Sequence, residues 1–248
     1  MRILGAGGWI PTGTHATCSA LLRDGDTAVL IDAGTGVERL VSDRSLLEGV
    51  ERLELVLTHF HLDHVAGLAY LPGLRGAGGV PPRIWGPARA LTGGSSDEVL
   101  RAIYAPPFYD ADFGLIASEV RELGEEQTVG PFTLRTRLQR GHSTPTLALR
   151  FDDLLSYCTD TPYDAGNAEL ARSTRVLMHE AWAAGGSPEA TEIHSSGLDA
   201  ARVAAEAGVE RLVLIHLHPG GGHEAVLAEA RGAFGAVELG ADLLAIEL

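Results

Sequence analysis

Two β-sheets packed against each other, with helices on their outer faces, form the α/β architecture this sequence predicts. Three observations predict it. Each half of the chain opens on consecutive strand-like segments and then alternates strands with helices, and two packed sheets flanked by helices bury the apolar faces of such elements. At 248 residues, 45% apolar and 21% charged, the chain has material for a large core and an ordinary surface. One strand-like run, 53–57, hands over directly to Thr58-His59-Phe60-His61-Leu62-Asp63-His64. Three imidazoles and a carboxylate so close together make a poor core and a good metal site, suited to Zn, Mn or Fe. No low-complexity tract or linker divides the chain, so residues 1–248 are read as one domain.

The elements follow in order. Short strands are expected at 2–4, 17–22 and 27–31, the last two joined by the turn Arg23-Asp24-Gly25-Asp26. Gly5-Ala6-Gly7-Gly8 lacks the third glycine and the following helix of a dinucleotide loop, so it is read as a glycine turn. Asp32-Ala33-Gly34-Thr35-Gly36 opens a helix through about Leu47, and Asp32 can cap it or support a nearby ligand. After the histidine stretch come a helix at 65–71 and a Gly- and Pro-rich loop at 73–82. A strand at 83–85 precedes helical residues 88–104, interrupted by Gly93-Gly94. The aromatic, proline-rich segment 105–113 either walls a pocket or packs onto the core. The second half predicts strands at 118–123, 132–139, 146–151, 154–159, 175–180 and 211–215. It also predicts helices at 197–207 and 223–234 and a closing strand at 243–246.

Composition excludes several classes. The formal charge is −14 and all 19 cationic residues are arginine. Without lysine there is no Schiff-base enzyme, no Ser-Lys hydrolase and no P-loop. The acidic balance opposes broad capture of nucleic acid. Arg135, Arg137 and Arg140 cluster locally, but Arg135 and Arg137 share a strand face that reads as solvated surface. No apolar run approaches the roughly 18 residues of a membrane span. The N-terminal residues lack the layout of a secretory signal, and Cys18 and Cys158 read as small buried residues. A cytoplasmic setting is therefore expected.

Later segments each end a strand on a potential ligand: His142, Asp160, His179-Glu180 and His216. Strand ends on one rim of a sheet converge, and the cluster at 59–64 requires partners. The order His59-x-His61-x-Asp63-His64, His142, Asp160, His216 resembles the ligand signature of the metallo-β-lactamase superfamily, across essentially the whole chain. The resemblance implies the four-layer αββα metallo-β-lactamase fold and two divalent cations, Zn foremost. It places one ion on His59, His61 and His142, the second on Asp63, His64 and His216, with Asp160 bridging.

Within that superfamily the ribonuclease Z-like phosphodiesterase branch is most similar. Gly7-Gly8-Trp9-Ile10-Pro11-Thr12 and His15-Ala16-Thr17-Cys18 resemble its N-terminal segment. Leu177-Met178-His179-Glu180-Ala181 resembles its His-Glu-Ala-Thr motif, with Trp182 where threonine would stand, and His194-Ser195 resembles the next block. By that resemblance His194 is the general acid and Glu180 its orienter, ahead of an ordinary polar role for His194. Homodimerisation is implied by the same analogy. Ribonuclease Z carries a tRNA-gripping arm between the strand-end histidine and the bridging aspartate. Here His142 and Asp160 are only 18 positions apart and two strands fill the interval.

The expectation is a phosphodiesterase on a small diester, a cyclic nucleotide, cyclic phosphate or short RNA end. A metal-bridged hydroxide, assisted by Asp63, would attack phosphorus. Alternatives are a lactone or thioester hydrolase on the same fold and a tRNA 3′-processing endonuclease. A non-enzymatic metal module is disfavoured because no ligand position is degraded. His15, His179, His218 and His223 receive no role.

Overall fold

The structure, a computed structural model, describes residues 1–77 and 81–248, with side chains outside residues 75–80. In chain order the elements begin with β1 (Arg2–Gly5), β2 (Ser19–Asp24), β3 (Thr27–Ile31), α1 (Glu38–Ser42) and β4 (Arg52–Val56). Then come α2 (Leu62–Val65), β5 (Arg83–Gly86), α3 (Ala88–Thr92), α4 (Ser96–Ile103) and β6 (Glu119–Glu122). They continue with β7 (Glu126–Val129), β8 (Phe132–Gln139), β9 (Thr146–Phe151), β10 (Leu155–Cys158) and α5 (Ala165–Leu170). The last are β11 (Val176–Glu180), α6 (Gly197–Ala207), β12 (Arg211–Ile215), α7 (His223–Arg231) and β13 (Val237–Leu239).

The strands form two mixed sheets, one of six in the order β1-β2-β3-β4-β5-β6 and one of seven in the order β13-β12-β11-β10-β9-β8-β7. In the first, β3 to β6 run parallel. In the second, β10 to β13 do. Period-two alternation sorts the side chains into layers. Along β3, Val29 and Ile31 enter the core between the sheets, while Ala28 and Leu30 face α1 and the segment after α2. Along β12, Val213 and Ile215 enter the shared core, while Leu212 and Leu214 meet the alanine face of α6. The result is the expected order of helices, sheet, sheet, helices. Ser196 and Asp199 cap α6 reciprocally, and Gly208 ends it at φ 66°.

Several elements depart from expectation. The single helix expected through Leu47 is broken, because Asp43 takes an extended backbone and accepts from Ser45 N, starting a separate 3₁₀ turn. The loop expected at 73–82 is 3₁₀-wound as far as Ala77, and residues 78–80 lie outside the described part. Strand β2 starts at Ser19, not Thr17. Three elements went unrecognised. Strand β7 is a polar edge strand, α5 has six residues capped by Asp164, and β13 has three residues. None is long enough to show a periodicity. The closing strand expected at 243–246 is not one. That segment runs beside β1, with Leu243 N–H donating to Ile3 O at 2.8 Å and Ile246 N–H to Met1 O at 2.9 Å.

Candidate metal centre

The parallel strands bring their carboxyl ends to one edge of the sandwich, where ligands bind in α/β sheets. Asp32 follows β3, the histidine stretch follows β4, Asp160 and His216 follow β10 and β12, and Glu180 ends β11. His142 enters from the turn between β8 and β9. Leu147 N–H donates to Thr58 O at 3.1 Å, tying the histidine stretch to the second sheet. Asp32, Asp160 and His216 adopt left-handed backbone, with φ of 53°, 52° and 52°. That conformation is uncommon outside glycine and collects at functional sites, here turning each strand end inward.

The buried Asp160 carboxylate is the centre of the cluster. Its Oδ1 lies 3.4 Å from His216 Nε2, 3.6 Å from His142 Nε2 and 3.9 Å from His59 Nε2. Its Oδ2 lies 3.1 Å from His64 Nε2. Asp63 Oδ2 approaches His64 Nε2 at 3.4 Å and His216 Nε2 at 3.3 Å. Two ligand groups emerge, His59-His61-Asp160 and Asp63-His64-His216, with donor atoms in each within 4.8 Å of one another. Among the described residues His142, Asp160 and His194 form a third such group and Glu180, His194 and His216 a fourth, and the His142 ring lies 5.1 Å from that of His61.

Divalent cations fit these residues. The Nε2 atoms of His59 and His64 are buried and have no hydrogen-bond partner, which is costly for a polar atom unless an ion meets it. The separations of 3.1–3.9 Å bracket the edge of about 3.3 Å that tetrahedral coordination at ordinary metal–nitrogen distances produces. Burial holds His59 well below the usual imidazole range, and so neutral. Burial acts the same way on His64 and His216, but Asp160 leads a set of carboxylates that carry both well above it. The carboxylates thus demand positive charge at these nitrogens, and a proton or a divalent cation can supply it.

One hydrogen-bonded chain sets two tautomers. His64 Nδ1 donates to Asp32 Oδ2 at 2.8 Å, and Thr58 Oγ1 donates to the same carboxylate at 2.9 Å. That leaves Thr58 Oγ1 to accept from His59 Nδ1 at 3.0 Å. Both histidines therefore keep their Nε2 lone pairs for the centre. Asp32 accepts from both Thr58 and His64 and caps no helix. His142 Nδ1 donates to Ile193 O at 3.3 Å, and His61 Nε2 is paired with Thr144 Oγ1 at 3.0 Å, so the free nitrogen of His61 is Nδ1.

Beside the cluster, His194 Nδ1 meets Glu180 Oε2 at 2.8 Å. Glu180 is fully buried and accepts at Oε1 from Thr161 N at 2.6 Å and Ser195 N at 3.2 Å. Burial acts to raise its carboxyl, but His194 and His216 prevail and leave it at about 2. Trp182 stacks on the His194 ring, 4.7 Å between centroids and 16° between planes. Trp9, His61, Asp63, His142, Asp160, Trp182, His194 and His216 line a cavity of about 320 Å³.

All the sequence-read candidates except His59 and His64, which are sealed beneath it, and Glu180, which lies behind His194, open onto this cavity. Sequence reasoning missed Thr58, Trp9 and the full use of Gly8. Trp9 N–H donates to Asp63 Oδ2 at 2.8 Å from a left-handed backbone. Gly8 lies so close to His216 that a Cβ would come within 2.6 Å of its ring, and Gly7 bridges Thr17 and Leu217. The run of glycines is thus a close approach of backbone to imidazole, more than a turn. His179 points away from the centre, buried, with Nδ1 on Glu180 O at 2.8 Å. His218 meets Trp182 edge-on, and His223 Nε2 donates to His218 O at 2.9 Å. The segment 105–113 packs and does not wall the cavity, with Tyr109 Oη donating to Ala69 O at 3.0 Å. Arg135 pairs with Glu126 and Arg137 with Asp164.

The family model of the beta-lactamase superfamily domain matches residues 27–217. Ribonuclease Z of Methanopyrus kandleri is 30% identical over 279 aligned positions, covering 100% of this chain and 97% of that protein. The probable metallo-hydrolase YhfI of Bacillus subtilis is 27% identical over 94% of this chain and 93% of its own. The crystal structure of YhfI, a metallo-beta-lactamase fold protein, superposes with a TM-score of 0.79 at 22% identity, covering 98% and 97% of the two chains. A diphosphatase from the PhnP family superposes at 0.74 with 17% identity, covering 99% and 96%.

Proposed function

Because this chain belongs to the beta-lactamase superfamily, we propose that it is a metal-dependent hydrolase of small phosphodiesters. The carrying observation is the pairing of two features at one cavity. Asp160 gathers four imidazole nitrogens, and the Glu180–His194 pair stands beside them. His59, His61 and His142 would hold one divalent cation and Asp63, His64 and His216 a second, with Asp160 shared. Zn suits this donor set best, and Mn or Fe are accommodated by it. When bound, such ions neutralise charge on phosphoryl oxygens and lower the pKa of water.

The chain's own residues supply the rest. Glu180 binds Nδ1 of His194 and so leaves Nε2 as the nitrogen that can give a proton to the departing oxygen. Asp63, held by the Trp9 N–H, presents a carboxylate that can receive a proton from attacking water. A leaving alkoxide needs a proton far more than a leaving thiolate does, which favours a diester over a thioester. The cavity of about 320 Å³ suits a small substrate. Strands β9 and β10 fill the interval between His142 and Asp160, and Arg135 and Arg137 are committed to ion pairs. Both features weigh against long structured RNA. The names ribonuclease Z and diphosphatase among the similar proteins support hydrolysis at phosphorus. Free, buried Cys18 and Cys158 fit a reducing cytoplasm. Among the described residues no helix is long and apolar enough to cross a membrane.

The test is turnover of bis(4-nitrophenyl) phosphate and a cyclic nucleotide after chelation and return of Zn or Mn, beside a lactone and a thioester. Diester cleavage restored by metal is expected. Restored lactone or thioester cleavage without any diester cleavage would overturn the proposal.

A further inference from the structure

Trp182 lies two residues past the end of β11, at the position where the resembled motif has threonine. Its backbone N–H donates to Ser195 O at 2.9 Å, and its indole Nε1–H donates to Glu189 O at 3.0 Å. Trp182 is thereby fastened to the segment that carries His194 on both sides of that residue, by its backbone after it and by its indole before it. His194 needs this support, because it lies in no helix or strand and residues 188–193 before it are exposed.

One hydrogen bond does not orient an imidazole. The contact from Nδ1 to Glu180 Oε2 at 2.8 Å and the bond to Cβ fix one side of the ring, but coupled changes in χ1 and χ2 can still tilt its plane and swing Nε2. A flat partner removes that freedom. The Trp182 face lies 4.7 Å from the His194 ring at 16°, and the ring also meets His142 at 4.7 Å and 57°. Trp182 is 7% exposed, with its own ring held by the Glu189 carbonyl, so it is a rigid platform.

We infer that Trp182 is a positioning residue, aiming Nε2 of His194 at the leaving oxygen of the diester. The inference rests on the acid role proposed above for His194. It separates from plain packing because a misaimed acid matters only when the leaving group needs a proton.

The experiment compares bis(4-nitrophenyl) phosphate with diphenyl phosphate, similar in shape but with a more basic leaving phenoxide in the second. Metal-loaded wild type, Trp182→Ala and Trp182→Phe are assayed on both. In Trp182→Ala, kcat on diphenyl phosphate is expected to fall about 30-fold further than kcat on the nitrophenyl diester. Trp182→Phe keeps a flat face and is expected to recover most of the loss. A second readout needs no turnover. In wild-type protein labelled at histidine, the His194 ring protons are displaced upfield by the indole ring current, and they move downfield in Trp182→Ala. Equal loss on both diesters, or His194 protons without upfield displacement, overturns the positioning role and leaves the proposed function standing. Wild type that cleaves neither diester overturns the proposed function, and this inference with it. If Trp182→Ala does not fold, Trp182→Phe and the wild-type proton shifts still decide.

Discussion

Replacing Asp32 by Asn should weaken one of the two proposed ions and spare the other. The buried carboxylate accepts from Thr58 N at 2.8 Å and from Thr58 Oγ1 at 3.0 Å on Oδ1, and from His64 Nδ1 at 2.8 Å on Oδ2. Alanine would leave three buried donors without an acceptor, at a cost of about 3–6 kcal/mol, and would confuse unfolding with metal loss. Asparagine keeps the shape. Its amide oxygen can still take both Thr58 donors, so Thr58 Oγ1 still receives His59 Nδ1–H and His59 keeps its Nε2 lone pair. Its NH₂ group then faces His64 Nδ1, where a donor meets a donor. His64 must move its proton to Nε2 to relieve this, which removes the lone pair a cation needs. Loss of such a supporting contact weakens metal binding about 10–100-fold, or about 1.4–2.8 kcal/mol. Competition titration with a chromogenic chelator, beside metal counting per chain, should therefore show one weakened and one unchanged ion in D32N. Folded D32N with two unchanged affinities, or with equal loss at both, would refute the tautomer argument.

Three further outcomes are expected. In the metal-free protein, Glu180 has a carboxyl lowered from 4.5 to about 2, so it contributes stability above the unfolded value that is lost as pH falls through the folded one. That contribution is about 3 kcal/mol, and urea midpoints measured from pH 5 down to 2 should fall less steeply in Glu180→Gln; parallel profiles would contradict it. Gly8→Ala pushes a Cβ to within 2.6 Å of the His216 ring, so kcat/KM should drop about 10–100-fold with little change in Tm, and undiminished activity would show that the loop yields freely. Phe151→Ala empties part of the core between the sheets, where Phe151 is fully buried against Phe132, and should cost about 3–5 kcal/mol in chemical denaturation; a cost below about 1 kcal/mol would mean the core refills.

The long elements were legible because side-chain period reports directly on which face is buried. Strands β3, β8, β9 and β12 and helix α6 fall where alternation and capping residues put them. Those that escaped notice lack that signal. Strand β7 is Glu126-Gln127-Thr128-Val129, an edge strand half open to water, and β13 and α5 end before a pattern can repeat. The segment 243–246 is apolar and strand-like, but Leu243 takes φ 66° and the backbone meets β1 by separate bonds, without an extended ladder.

By itself the sequence offered four candidate donors packed into 59–64 and further imidazoles and carboxylates at strand ends, and the family resemblance singled out His142, Asp160, His216 and the Glu180 and His194 pair among them. Such chemistry is legible because donor type is a property of the residue and because a short spacing forces neighbours together in any fold. Only the tertiary structure decided how those groups meet. Asp160 sits among nitrogens delivered by residues as far apart as His59 and His216, through left-handed strand ends whose direction no local pattern states. The tautomers of His59 and His64 depend on Asp32, from a neighbouring strand. The plane of His194 depends on Trp182, which in the sequence is only an odd residue in a motif. Each of these is a distance or an angle between segments that the chain separates and sheet packing reunites, so it exists only once both sheets have closed on their common core.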